Sequence, residues 1–233
     1  MSVRGDGRTR FVIYTQWVAS WFFQLLPPVR GKIANIGEIA GYLNWVSRRF
    51  ACNQVPCSKR EHVWDLILKR TDHKHVRGFE FGVAWGYASQ WWLDHIKEPS
   101  LIWDGFDRFT GLPRSWRNLP EGYFSSDGIP PLIYDDRVKW HIGDVETTLP
   151  KVDLQRREDE RWIILFDLDL LQPTSFAWNF IKEYLRDGDL LYFDEAFDWD
   201  ERFVIDQLVL PFGSFDLIGF TPQAIAFQFK GLG

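Results

Sequence analysis

A regular alternation of strand-like and helix-like segments after residue 75 constrains the fold of this chain more than any other feature. Short apolar runs with many aromatic and branched side chains recur, and segments with helical periodicity separate several of them. The predicted strands are 76–83, 101–106, 137–142, 162–166 and 189–193, and the predicted helices are 87–96, 174–185 and 202–210. Strands and helices that alternate in this way predict parallel βαβ units.

The C-terminal part of the chain departs from this pattern. Two strand-like runs, 215–220 and 224–229, are separated by only three residues. Such a connection is too short for a helical crossover, so the two strands must be antiparallel. We therefore expect an α/β fold with a mostly parallel sheet that ends in an antiparallel hairpin.

The segment before residue 70 is predicted to be helical. An amphipathic helix is expected over 11–26, where Pro27 and Pro28 end the pattern, and two further helices are expected over 36–50 and 59–69. We accordingly divide the chain into an N-terminal helical extension, 1–70, and an α/β domain, 71–233. Packing of these helices on the same domain is the default, and a lid or a homo-oligomer interface is the alternative.

Net charge and hydropathy narrow the class of partner. The chain has 27 basic and 32 acidic residues, for a net charge of −5, and so lacks the basic excess of a general nucleic-acid binder. Polar residues interrupt the apolar run of 11–26, which falls short of a membrane span or a signal peptide. We expect a cytoplasmic protein without a nucleic-acid or membrane partner.

The turn after the first predicted strand is a candidate binding element. Ligands of open parallel sheets lie at the carboxyl ends of the strands. Here Glu80 can accept a hydrogen bond, and Gly82 and Gly86 would let the backbone turn tightly beside a ligand. Their spacing differs from G-x-G-x-x-G, which argues against a nicotinamide-dependent oxidoreductase.

Acidic residues also follow the second and third predicted strands. Asp107, followed by Arg108 and Phe109, lies about twenty residues beyond Gly86, where an acidic residue commonly meets a ribose diol. Asp144, followed by Val145, could face an adenine. Helix capping is the alternative for each aspartate, but their placement after consecutive strands favours one bound nucleoside.

Carboxylates end the fourth and fifth predicted strands. Asp167 and Asp169 follow one, and Asp194 and Glu195 follow the other. Neighbouring parallel strands would bring Asp167, Asp194 and Glu195 to one rim, where a divalent cation such as Mg²⁺ would offset their charge. Salt bridges or helix caps are the alternative. Asp169 could accept a proton in catalysis, although a buried cap or salt bridge explains it equally well.

These motifs occur in an ordered series that covers roughly residues 76–200. They lie within 79–89, 105–113, 122–124, 143–150, 167–170 and 193–195, with Trp116 between them. The series resembles the macrocin-type O-methyltransferases, which are class I S-adenosylmethionine-dependent enzymes that methylate sugar hydroxyls of natural products. The resemblance implies a Rossmann-like methyltransferase sheet.

The resemblance also implies roles for the candidate residues. Glu80, Gly82 and Gly86 would line the methionine end of the cofactor, Asp107 with Arg108 and Phe109 would hold the ribose, and Asp144 with Val145 would lie beside the adenine. Asp167, Asp194 and Glu195 would match the metal ligands of the family. The sequence departs from the family pattern at Leu165, at residues 171–173 and at Glu195.

The function predicted from the sequence is Mg²⁺-assisted O-methylation of a small hydroxylated metabolite. A glycosylated natural product is the first choice of acceptor, and a catechol-like compound is the second. The long segment 108–136 is the expected acceptor-side loop. The alternative is a non-catalytic methyltransferase-like domain that serves binding or assembly, which the departures from the family pattern favour.

Overall fold

The computed structural model describes residues 27–51, 55–71 and 75–232, with side chains from residue 35 onward. The helix predicted over 11–26 lies outside this part of the chain. The strands are β1 (His75–Phe81), β2 (Ile102–Asp107), β3 (Val138–Ile142), β4 (Glu160–Phe166), β5 (Leu190–Phe193), β6 (Phe215–Phe220) and β7 (Ile225–Phe229). They form one seven-stranded sheet in the order β3-β2-β1-β4-β5-β7-β6.

The pairing of the strands confirms the predicted topology. β1 to β5 run parallel to one another, whereas β7 is antiparallel to both β5 and β6. The strand order reverses between β1 and β4, which lie side by side at the centre of the sheet. Ligand crevices of open α/β sheets form at such a reversal, outside the carboxyl ends of the strands.

The helices are α1 (Pro27–Arg49), α2 (Arg60–Leu68), α3 (Tyr87–His95), α4 (Val145–Thr148), α5 (Leu171–Ile181) and α6 (Trp199–Val204). Three of them begin earlier than predicted. The described part of α1 begins at Pro27. α5 has Pro173 in its first turn, where proline is tolerated because the backbone N–H has no helical partner. α6 starts after Asp198, whose carboxylate accepts a hydrogen bond from the backbone N–H of Asp200 at 3.0 Å.

The sheet buries an apolar cluster on each face, and the N-terminal helices contribute to both. Tyr42 and Val46 of α1 lie in the cluster that contains Phe79 of β1 and residues of α5 and α6. Trp64 of α2 lies in the opposite cluster with Trp103 of β2 and residues of α3. Helices α1 and α2 therefore pack on the α/β domain, which was the default expectation. The domain boundary at residue 70 stays a prediction.

No helix within the described residues is both long and apolar enough to cross a lipid bilayer.

Candidate active site

A cavity of about 720 Å³ opens at the carboxyl edge of the sheet, where the strand order reverses. Its volume lies within the range of small-molecule and cofactor sites. Most of the residues predicted from the sequence line it: Glu80, Gly82, Asp107, Arg108, Asp144, Val145, Asp167, Asp169, Asp194 and Glu195. Gly86 and Phe109 are not in its wall. Gly86 instead precedes α3 with a φ of +78°, and the Phe109 side chain is fully buried.

The turn after β1 is held by Asp107 at the end of β2. One carboxylate oxygen of Asp107 accepts hydrogen bonds from the backbone N–H groups of Val83 and Ala84, both at 2.8 Å. The other oxygen accepts from the N–H of Phe109 at 2.7 Å. Asp107 thus organises the two loops that meet at the cavity. Its predicted contact with a ribose stays a prediction.

Gly82 allows this turn to approach the end of β4. Its φ is +91°, a backbone conformation that residues with a side chain rarely adopt. A Cβ atom at this position would overlap the carbonyl oxygen of Asp167. The backbone N–H of Asp167 also donates to the carbonyl of Phe81 at 2.7 Å. The glycine is therefore required by close backbone packing as well as by the turn.

Glu80 is a buried carboxylate at the base of the cavity. Its Oε2 accepts hydrogen bonds from the Ser89 hydroxyl at 2.5 Å and from the Trp103 indole N–H at 2.7 Å. Burial raises the pKa of Glu80 to about 7, although these two hydrogen bonds oppose the shift. The backbone N–H of Ser89 also interacts with this carboxylate, and Glu80 lines the cavity, where it can face a ligand such as an ammonium group.

We expect Glu80→Gln to stabilise the ligand-free protein above pH 7. The unfolded chain loses the Glu80 proton near pH 4.5, whereas the folded protein keeps it to about pH 7. Stability therefore falls as the pH rises between these values, by about 3 kcal/mol in total, and glutamine does not titrate. Urea unfolding from pH 4 to pH 8 measures the effect. Glu183→Gln, at an exposed position, should reproduce the wild-type pH profile.

Asp144 has an open position on the cavity wall. It precedes α4, but its side chain makes no capping hydrogen bond, so the capping alternative is not realised. Its Oδ1 instead lies 3.2 Å from Nε of Arg108, and about half of its side chain is exposed. Asp144 is therefore accessible to a ligand, as is Arg108.

Four carboxylates of the cavity wall follow β4 and β5: Asp167, Asp169, Asp194 and Glu195. The pairing of β4 with β5 places Phe166 opposite Phe193, which brings the residues after both strands together as predicted. Burial, followed by repulsion from neighbouring carboxylates, raises the pKa of Asp169 to about 7 and that of Glu195 to about 9. The same causes raise the pKa of Asp167. We call these four residues the carboxylate cluster.

Two arginines that the sequence did not indicate approach the carboxylate cluster. Arg60 of α2 donates a hydrogen bond from Nη1 to Oδ2 of Asp194 at 3.0 Å, and it also lines the cavity. Arg117 pairs with Asp198 at 3.4 Å and with Glu38 of α1, and it interacts electrostatically with Asp169 and Glu195. Neither position carries a local sequence signal. Arg60 also belongs to the segment that was predicted to lie outside the α/β domain.

The predicted role of Asp167, Asp194 and Glu195 as Mg²⁺ ligands is not confirmed in the part of the chain that the structure describes. No group of three or more His, Cys, Asp or Glu side chains there is arranged to hold a metal ion. Asp194 already accepts from Arg60 at Oδ2 and from the Tyr192 hydroxyl at Oδ1, at 2.5 Å. A divalent ion on Asp194 would also lie beside the Arg60 guanidinium, whose positive charge opposes its binding.

His95 and His141 have structural surroundings, as expected. His141 lies in β3, and its Nε2 is 2.8 Å from Oδ1 of Asp104. His95 ends α3, where its Nδ1 is 2.7 Å from the carbonyl oxygen of Trp91. Neither residue lines the cavity.

The fold of this chain is similar to that of methyltransferases of known structure. No protein-family model and no curated protein sequence matches the chain. It is similar in structure to the calicheamicin methyltransferase CalS11, with a TM-score of 0.53 and 18% identity, covering 86% of this chain and 93% of that one. It is also similar to the O-methyltransferase NovP, with a TM-score of 0.52 and 16% identity, covering 74% and 78%. The chain thus has the class I methyltransferase fold.

Proposed function

We propose that this protein is an S-adenosylmethionine-dependent O-methyltransferase that methylates a hydroxyl group of a small metabolite. One observation carries the proposal: a single cavity joins the glycine turn after β1 to the carboxylate cluster after β4 and β5. The turn and Glu80 would hold the cofactor, and the carboxylate cluster would face the acceptor. The methyl donor and the acceptor hydroxyl would therefore bind next to one another in this cavity.

The residues of the cavity have separable roles in this reaction. When bound, S-adenosylmethionine supplies an electrophilic methyl group and leaves as S-adenosylhomocysteine. Glu80 accepts a hydrogen bond from the cofactor's ammonium group, and Asp107 keeps the turn after β1 in place. Asp169 takes the proton of the acceptor hydroxyl, because it lines the cavity and no described protein group is recorded as a hydrogen-bond donor to its carboxylate.

A glycosylated natural product is our preferred acceptor, and a catechol-like compound is the second. Trp85 lines the cavity and is 65% exposed, so its ring offers an apolar face to a sugar or an aromatic ring. The Phe124 ring, from the predicted acceptor-side loop, packs against it with centroids 5.8 Å apart. CalS11, a calicheamicin methyltransferase, has the same fold. A cytoplasmic location and the absence of a nucleic-acid acceptor stay predictions from composition.

Calorimetric titration with S-adenosylmethionine and S-adenosylhomocysteine tests the proposal first. We expect one binding site in the wild-type protein and, because an ammonium partner is lost, about tenfold weaker binding in Glu80→Gln. Transfer of a labelled methyl group to a panel of glycosides and catechols then identifies the acceptor class. Absence of binding to either compound would contradict the proposal and favour the non-catalytic alternative.

We expect Asp169→Asn to lower the rate of methyl transfer about 100-fold while leaving S-adenosylhomocysteine binding unchanged. The amide keeps the size of the side chain but cannot accept the proton. Asp127→Asn is the matched control, because Asp127 also has a positive φ, of 57° against 61° for Asp169, but is exposed and away from the cavity. Equal rates for the two variants would exclude Asp169 as the proton acceptor.

A further inference from the structure

The carboxylate cluster has a positive charge beside it that belongs to the chain itself. Arg60 is the first residue of α2, and its Nη1 lies 3.0 Å from Oδ2 of Asp194. The Asp194 side chain is only 12% exposed, whereas the Arg60 side chain is 44% exposed, so the aspartate is shielded and the guanidinium reaches solvent. Arg60 also interacts electrostatically with Asp167, the other strand-end aspartate of the cluster.

The position of the guanidinium is defined by more than this one contact. It lies over the rings of Trp64 and Tyr87, at 5.9 Å and 5.7 Å from their centroids. Trp64 is buried against the sheet, and the Tyr87 hydroxyl donates to Glu61 of α2 at 2.5 Å. The arginine is therefore placed by the docking of α2 against α3 and the sheet, and it does not depend on a ligand.

We propose that the Arg60 guanidinium is the resident cation of this site: it holds Asp194, excludes a divalent metal ion and presents its remaining N–H groups to the acceptor. Arginine provides five donors in a planar fork that matches two neighbouring oxygen atoms. Nη1 is used by Asp194, and no hydrogen bond from Nε or Nη2 to a described residue is recorded. The fork suits an acceptor with a vicinal diol or a carboxylate.

Two features oppose a metal ion on Asp194: the positive charge of Arg60 and the hydrogen bonds that the Asp194 oxygens already accept. Both oxygens of Asp194 already accept hydrogen bonds, from Arg60 and from Tyr192. A metal ion on Asp194 would have to lie next to the guanidinium or displace it from Trp64 and Tyr87. The charge argument stands without the proposed function, whereas the contact with the acceptor rests on it.

Titration with Mn²⁺, followed by the paramagnetic resonance of the free ion, tests the exclusion on the full-length chain. We expect no saturable site in the wild-type protein or in Arg60→Lys, which keeps the charge. Arg60→Gln removes the charge and should gain one saturable Mn²⁺ site, at least about tenfold tighter than any residual binding to the wild type. That binding should disappear in the double variant Arg60→Gln, Asp194→Asn.

The controls make each result decisive. Arg48→Gln removes an exposed arginine of α1 and should behave as the wild type. A Mn²⁺ site in the wild-type protein that Asp194→Asn abolishes would overturn the proposal, as would a folded Arg60→Gln variant that gains no Mn²⁺ affinity. If Arg60→Gln does not fold, the wild-type titration and its Asp194→Asn counterpart still decide the matter.

Binding of S-adenosylhomocysteine to the same samples separates this inference from the proposed function. Arg60 makes its hydrogen bond to Asp194 and none to Glu80 or Asp107, so its variants should bind S-adenosylhomocysteine as the wild type does. Loss of that binding in every sample, with Mn²⁺ behaving as expected, would contradict the methyltransferase proposal and leave the metal exclusion standing. Normal binding of S-adenosylhomocysteine, with Mn²⁺ binding opposite to that expected, would contradict the role of Arg60 and leave the methyltransferase proposal standing.

Discussion

Gly82→Ala is expected to destabilise the protein by more than about 3 kcal/mol and to abolish S-adenosylhomocysteine binding. The new Cβ would overlap the carbonyl oxygen of Asp167, which is part of the backbone and cannot rotate away as a side chain could. The φ of +91° adds strain for any residue other than glycine. The turn after β1 would have to shift, and the hydrogen bonds from Val83 and Ala84 to Asp107 would be lost with it.

Gly122→Ala separates the two causes. Gly122 has a similar φ of +77°, but no atom lies within 4 Å of the position that its Cβ would take. We expect this control to cost only about 1–2 kcal/mol, the strain of the left-handed conformation alone. Urea unfolding and calorimetry on both variants provide the comparison. Similar losses of stability would mean that contact with Asp167 does not explain the glycine at position 82.

Asp104→Asn is expected to cost about 3–5 kcal/mol at pH 7. Asp104 is buried in β2, where it accepts a hydrogen bond from Arg77 Nε at 2.8 Å and is paired with His141 at 2.8 Å. The Arg77 side chain is itself only 8% exposed. Replacing the carboxylate leaves a buried guanidinium without a counter-charge. Asp216→Asn, at an exposed position of β6, should change stability by less than about 0.5 kcal/mol.

The cost of Asp104→Asn should depend on pH in a defined direction. Burial alone would raise the pKa of Asp104, but the hydrogen bond from His141 and the charge of Arg77 together lower it below its usual 3.8. The stability that the carboxylate provides is therefore complete above this usual value and is lost as the pH falls through the folded-state pKa. The difference between the wild type and the variant should narrow in acid. A constant difference down to pH 2 would contradict the assigned pairing.

The strand-end residues of the site were predictable because local pattern and topology act together. Alternating strands and helices indicate a parallel sheet, and a parallel sheet brings the carboxyl ends of its strands to one edge. Asp167 and Asp194 are far apart in sequence, yet the neighbouring strands β4 and β5 place them in one cavity as expected. The antiparallel hairpin was predictable from the length of its turn.

The partners of these residues were decided only by the tertiary structure. The sequence by itself determined the sheet, its hairpin and the acidic edge, because each depends on periodicity or on the length of a connection. It did not show that the Asp107 carboxylate accepts hydrogen bonds from backbone N–H groups, since that depends on where two loops meet. Nor did it show that Arg60 reaches Asp194. That contact spans more than a hundred residues and depends on how α2 packs against the sheet, which no local pattern encodes.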